Sequence, residues 1–117
     1  MAGGMRVRWW HWMPFQRWRC IGVVESADEI PEKLPRNAAV LVSSVGYDKW
    51  IAFDCPCGSP HRIMLNLDEA RYPAWRVVRK DRGALTVAPS VNYYDGKRRC
   101  HYFVRAGKTV WAGDTFP

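Results

Sequence analysis

The chain predicts an all-β or β-dominated α+β fold, organised as a small single domain of antiparallel hairpins. Two observations predict the strands. Short runs rich in β-branched and aromatic residues recur along the chain, each bounded by Gly, Pro, Asn or Asp. Almost no segment carries a helical period. A third observation sets the scale. With 117 residues, 48% hydrophobic, the chain can fill one core. One domain over residues 1–117 is therefore expected, of a size at which a covalent or metal staple helps.

In order, residues 1–20 form an Arg/Trp-rich segment. It reads as a strand that packs its aromatics on the core, or as an arm that docks on a partner, with Pro14 at an edge or bend. "ESADEIPEKLPRN" follows. Ser26 and Glu29 make a capping-box pattern, and Pro35 ends whatever helix forms, so at most a short helix is expected. "AAVLVSSV" and "KWIAF" are strands of one hairpin, turned by "GYD". "HRIMLNL" is the next strand, with Ile63, Leu65 and Leu67 on one face. Asp68 to Pro73 is a loop or a single helical turn. "AWRVVRK" and "ALTVAPS" are strands separated by "DRG", and "NYYDGKRR" is a polar loop around Asp95 and Gly96. "CHYFVR", "AGK" and "TVWAG" close the chain as a last hairpin.

The net charge of +7 permits binding to nucleic acid, an anionic membrane or an acidic protein, without choosing among them. No stretch has the length of a transmembrane helix, and the first twenty residues lack the apolar run of a signal peptide. The expectation is a cytoplasmic protein with no membrane role. In a reducing compartment, four cysteines point to metal or catalysis more than to a disulfide framework.

The stretch with the densest chemistry is "FDCPCGSPHR", residues 53–62. Cys55 and Cys57 flank Pro56 on the tip between two strands, and Gly58 can take φ > 0 so that backbone amides face a thiolate. Zinc asks for four Cys or His ligands in a tetrahedron. Cys100 is the third candidate. The fourth is His61 or His101. Neighbouring side chains on a strand point to opposite faces, so if Cys100 faces the metal, His101 faces away, which favours His61. Four ligands would make the zinc structural; an open position would allow hydrolytic zinc. Free thiols or a disulfide are the alternatives, and Cys20 reads as a small buried hydrophobe.

His101 is then left for other work. Ser90, in "APSVN" at the end of a predicted strand, could pair with it as nucleophile and base, oriented by Asn66, Asn92 or Asp95. The alternative is a turn serine and a structural histidine.

"FDCPCGSPHRIMLNL", "APSV" and "CHYFVRAGKTVWA" together resemble a family of small bacterial proteins with a CPCG turn, an Ile-x-Leu-Asn strand, a Pro-Ser and a Cys just before His-aromatic. The resemblance covers about the C-terminal two thirds. Some members of that family are encoded with bacterial ubiquitination-like genes, beside E1-like, E2-like and ubiquitin-like proteins. The resemblance implies a serine peptidase that trims a ubiquitin-like precursor or removes it from conjugates. It also implies zinc on Cys55, Cys57 and Cys100, Ser90 as nucleophile and His101 as base. Many relatives carry a third cysteine where this chain has Ser59, and His61 is the substitute read here. Trp50, Trp75 or Trp111 could wall a channel for a glycine-like tail, or fill the core. The rival function is a non-catalytic zinc module that binds nucleic acid or a protein.

Overall fold

The computed structural model describes residues 7–13, 16–57, 61–79, 84–94 and 96–115. Among the described residues, eight strands form two four-stranded sheets. The first sheet holds β1 (Arg19–Val24), β2 (Ala38–Ser44), β3 (Tyr47–Asp54) and β4 (Arg62–Asn66), in that spatial order. The second holds β5 (Arg76–Arg79), β6 (Leu85–Tyr94), β7 (Arg99–Arg105) and β8 (Lys108–Trp111), also in sequence order. The described residues contain short 3-10 turns and no α-helix, so the fold is β-dominated as the sequence predicts.

Local chemistry sets the hairpins. The β2–β3 turn places Val45 and Gly46 at φ 52° and 79°, and the β7–β8 turn places Ala106 and Gly107 at 48° and 82°. Two successive residues at positive φ match the right-handed twist of the flanking strands. The first turn therefore lies at Val45–Gly46, and β3 starts at Tyr47 rather than at Lys49. The short helix allowed after Ser26 is a single 3-10 turn, Ala27–Glu29, with the backbone amides of Glu25 and Ser26 both donating to the Glu29 carboxylate.

Three features depart from the sequence reading. The β1–β2 pair is parallel, because the 25–37 connection carries the chain back to the starting end of β1 before β2 begins. The N-terminal strand begins only at Arg19. Before it, Trp9–Trp12 form a 3-10 turn whose three tryptophans are exposed, so of the four described tryptophans there Trp18 alone joins the core. Its amides bond within the turn, with His11 N–H on the Arg8 carbonyl and the Arg8 N–H on His11 Nδ1, which leaves no ladder to join. Finally, β6 does not end at Ser90 but runs on to Tyr94. The expectations for Pro14, Gly58, Ser59, Asp95 and the 81–83 turn lie outside the described residues.

The inner faces of both sheets meet in one core. It contains Ile51, Phe53, Ile63 and Leu65 from the first sheet, and Leu85, Val87, Val91, Cys100, Tyr102 and Val104 from the second. Trp18 joins the sheets. Its ring meets Phe53 edge-on at 4.9 Å, its indole N–H donates to Thr109 Oγ1 at 2.7 Å, and its backbone bonds Gly107 and Leu85. Burying such side chains contributes about 1.5–3 kcal/mol each, the main stabilising term. Val24, Leu34, Val40 and Val42 form a second cluster, with Trp50 packed against it.

Candidate active site and metal centre

Strand β7 separates two kinds of chemistry. Cys100, Tyr102 and Val104 point into the core, while Arg99, His101 and Phe103 lie partly exposed on the outer face. The alternation of a pleated strand makes this division.

On the inner face, Cys55, Cys57, His61 and Cys100 bring one ligand atom each to within 4.8 Å of all the others. The backbone N–H of Cys55 donates to the His61 carbonyl at 3.0 Å and closes the turn between β3 and β4. Tyr93, the register partner of Cys100, stacks on the His61 ring at 3.9 Å and so holds the imidazole toward Cys100. The Tyr102 hydroxyl reaches Cys55 Sγ at 3.5 Å. Burial pushes the Cys55 and Cys100 thiols up, and for Cys100 the neighbouring Cys57 and Cys55 sulfurs push further. Several thiolates this close repel one another, and a bound divalent cation reverses that.

The donor set fits zinc. Tetrahedral zinc with bonds of about 2.0–2.3 Å spaces its ligand atoms by about 3.5–3.8 Å. Cys57 Sγ and His61 Nε2 already stand 3.9 Å apart. The arrangement can hold a metal ion on His61 and leaves His101 outside it. None of the four cysteines is disulfide-bonded, and Cys20 lies outside the cluster, its thiol on the Gly22 carbonyl.

On the outer face, His101 Nε2 lies 3.0 Å from Ser90 Oγ, and His101 Nδ1 lies 2.8 Å from Asp114 Oδ1. Ser90 reaches this position through an irregularity in β6. Val87 pairs with Val104 and Val91 with Tyr102, so Ala88, Pro89 and Ser90 stand opposite Phe103 alone. Extra residues on one strand bend it and re-aim side chains, a feature common beside active sites. The indole N–H of Trp75 donates to the Ser90 carbonyl at 3.1 Å and holds the bent stretch.

Asp114 comes from the turn after β8. Ala112 N–H donates to the His101 carbonyl at 2.9 Å, and the Thr115 hydroxyl donates to the same carbonyl at 2.6 Å. The Thr115 oxygen also accepts the His101 backbone N–H at 3.1 Å. The turn is thus clipped to the backbone of the histidine that its carboxylate faces. The hydrogen bond with His101 holds the Asp114 carboxyl below the usual carboxylate range, aided by Arg99, whose guanidinium stands 4.0 Å away.

Of the three orienting groups named from sequence, the two described residues are engaged elsewhere. Asn66 caps the 68–73 turn, donating to the carbonyls of Asp68, Arg71 and Pro73. Asn92 accepts from Arg99 at 3.3 Å, and Asp95 lies outside the described residues. Hairpin arithmetic could have found Asp114. The Ala106–Gly107 turn pairs Arg105 with Lys108, which puts residue 112 beside His101 and Asp114 just beyond.

Residues 26–112 match the family of bacterial ubiquitination-like system serine proteases (BubE). The chain belongs to this family. No curated protein and no solved structure matches it. In this BubE-family chain the matched segment contains the four cluster residues, Ser90 and His101. Asp114, Thr115 and the exposed tryptophans near the N-terminus fall outside it. The family description associates the chain with a bacterial ubiquitination-like system and with serine protease chemistry. Among the described residues, no helix is long and apolar enough to cross a membrane.

Proposed function

We propose that this chain is a serine peptidase that processes the precursor of a ubiquitin-like protein, or cleaves that protein from its conjugates. One observation carries the reading: the continuous hydrogen-bonded line Asp114–His101–Ser90, at 2.8 and 3.0 Å. A nucleophile within reach of a base, itself oriented by a third group, is the geometry of acyl transfer. His101 Nε2 takes the Ser90 proton as Oγ attacks the carbonyl. Asp114 holds the Nδ1 proton and stabilises the imidazolium that forms. The backbone amide of Ser90, in the β6 stretch where pairing with β7 lapses, binds the oxyanion. His101 then delivers its proton to the leaving amine, and water repeats the sequence on the acyl-enzyme.

Zinc on Cys55, Cys57, His61 and Cys100 is structural in this reading, because four protein ligands fill its tetrahedron. Held by these residues, it would cross-link the β3–β4 turn to β7 and so steady the strand that presents His101. We read both sheets as one zinc-stapled domain.

Intact-mass spectrometry after treatment with a fluorophosphonate tests the proposal. One adduct on the wild type and none on Ser90→Ala, with zinc content equal, is the expected result. No adduct on folded, zinc-loaded protein overturns it. A second reading, a module that binds single-stranded nucleic acid, rests on the exposed Trp9, Trp10 and Trp12 and the +7 charge. It predicts binding that weakens steeply with salt and is indifferent to Ser90→Ala.

A further inference from the structure

A cleft opens beside the β6 irregularity. Its volume is about 420 Å³, and Ala88, two residues before Ser90 on the same strand, is part of its lining. Leu67, Trp75 and Val77, all packed against the core, line it from within. The exposed Asp48 and Glu69 line it from outside. A second hollow of about 580 Å³ shares Asp48, Leu67 and Glu69 and prolongs the cleft toward the β2–β3 turn. Trp75 belongs to both regions: it lines the cleft, and its indole N–H holds the carbonyl of Ser90. At about 3.3 Å per residue, a chain leaving Ser90 along this path enters the cleft within two or three residues. Strand β5, which also lines it, is the edge of its sheet, a place where an extended peptide can lie.

The charge of the cleft runs against that of the molecule. The chain carries 18 Lys and Arg against 11 Asp and Glu, yet Asp48, Asp68 and Glu69 gather here against Lys49 and Arg76. Asp68 is engaged within its own turn, by the Ala70 N–H and by Arg71. Among the described residues, Asp48 and Glu69 have neither an ion pair nor a side-chain hydrogen bond.

We propose that this cleft receives an extended segment of the substrate next to the scissile bond, and that Asp48 and Glu69 select a basic side chain within it. The inference rests on Ser90 being the nucleophile. The apolar wall takes the stem of a Lys or Arg while the carboxylates meet its head, the way long cationic side chains snorkel.

The test measures binding without turnover. Acetylated pentapeptides ending in Gly-Gly, with Lys, Gln or Glu at the third position from the C-terminus, are titrated to millimolar concentration into 15N-labelled Ser90→Ala. The amides of Leu67, Glu69 and Trp75 are expected to shift, with the Lys peptide about fivefold tighter than the Gln peptide for one exposed carboxylate contact. The Glu peptide is expected to be weakest. The Asp48→Asn, Glu69→Gln double variant levels this order. Net charge alone predicts the reverse, since a +7 protein favours acidic peptides. A flat order, a preference for Glu, shifts outside the cleft, or no shift at all overturns the proposal. Failure of the peptidase reading shows separately, as absent fluorophosphonate labelling of the wild type.

Discussion

Thr115→Val is the most informative substitution, because it changes no group in the proton line. It keeps the shape of the side chain and removes its hydroxyl. That hydroxyl donates to the His101 carbonyl at 2.6 Å and accepts the His101 N–H at 3.1 Å. Each such bond contributes about 1 kcal/mol net, so the clip loses about 2 kcal/mol. That lowers the population of the docked turn, relative to the undocked, by roughly 30-fold. Ala112 N–H still bonds the His101 carbonyl, so β8 stays in place and only the delivery of Asp114 is weakened. The second-order rate of fluorophosphonate labelling at Ser90 is therefore expected to fall in Thr115→Val, by at most roughly 30-fold. Thr115→Ser, which keeps the hydroxyl, is expected to stay within about twofold of wild type. Both are compared at equal zinc content and with matched thermal unfolding. Wild-type labelling of Thr115→Val would refute the clip. Equal losses in Val and Ser would show that packing, not hydrogen bonding, is at work.

Other outcomes follow from the same structure. Asp114→Asn is expected to slow labelling by more than about tenfold, since the amide can hold the wrong imidazole tautomer; unchanged kinetics would remove Asp114 from the site. The Asp114 carboxyl is held low by its bond with His101, so its contribution to docking the turn is complete above the ordinary carboxylate range. It is lost only as pH falls through the depressed value, which carbon-13 NMR of the carboxyl reads directly. Trp75→Phe removes the donor to the Ser90 carbonyl and is expected to cut labelling by about fivefold with little change in unfolding temperature. Cys100→Ser should bring bound zinc, read by elemental analysis, well below one per chain and lower the unfolding temperature sharply, because metal binding is coupled to folding. Ile51→Ala, at a fully buried position, is expected to cost about 2–5 kcal/mol by denaturant unfolding.

What the sequence by itself determined is what local pattern governs. β-branched runs and Gly-centred turns specify the hairpins. Strand alternation puts Cys100 and His101 on opposite faces of β7, because the pleat admits no other arrangement for adjacent residues. The spacing of Cys55, Cys57 and His61 around one turn was legible for the same reason. Only the tertiary structure decided the rest. The parallel pairing of β1 with β2 depends on the path of the 25–37 connection, which no local period encodes. Ser90 reaches His101 because residues 88–90 face one residue of β7, and a strand irregularity exists only relative to its partner. Asp114 joins the line because Thr115 bonds a backbone fourteen residues away. Pattern along the chain fixes which way each side chain points; the pairing of distant segments fixes what it meets.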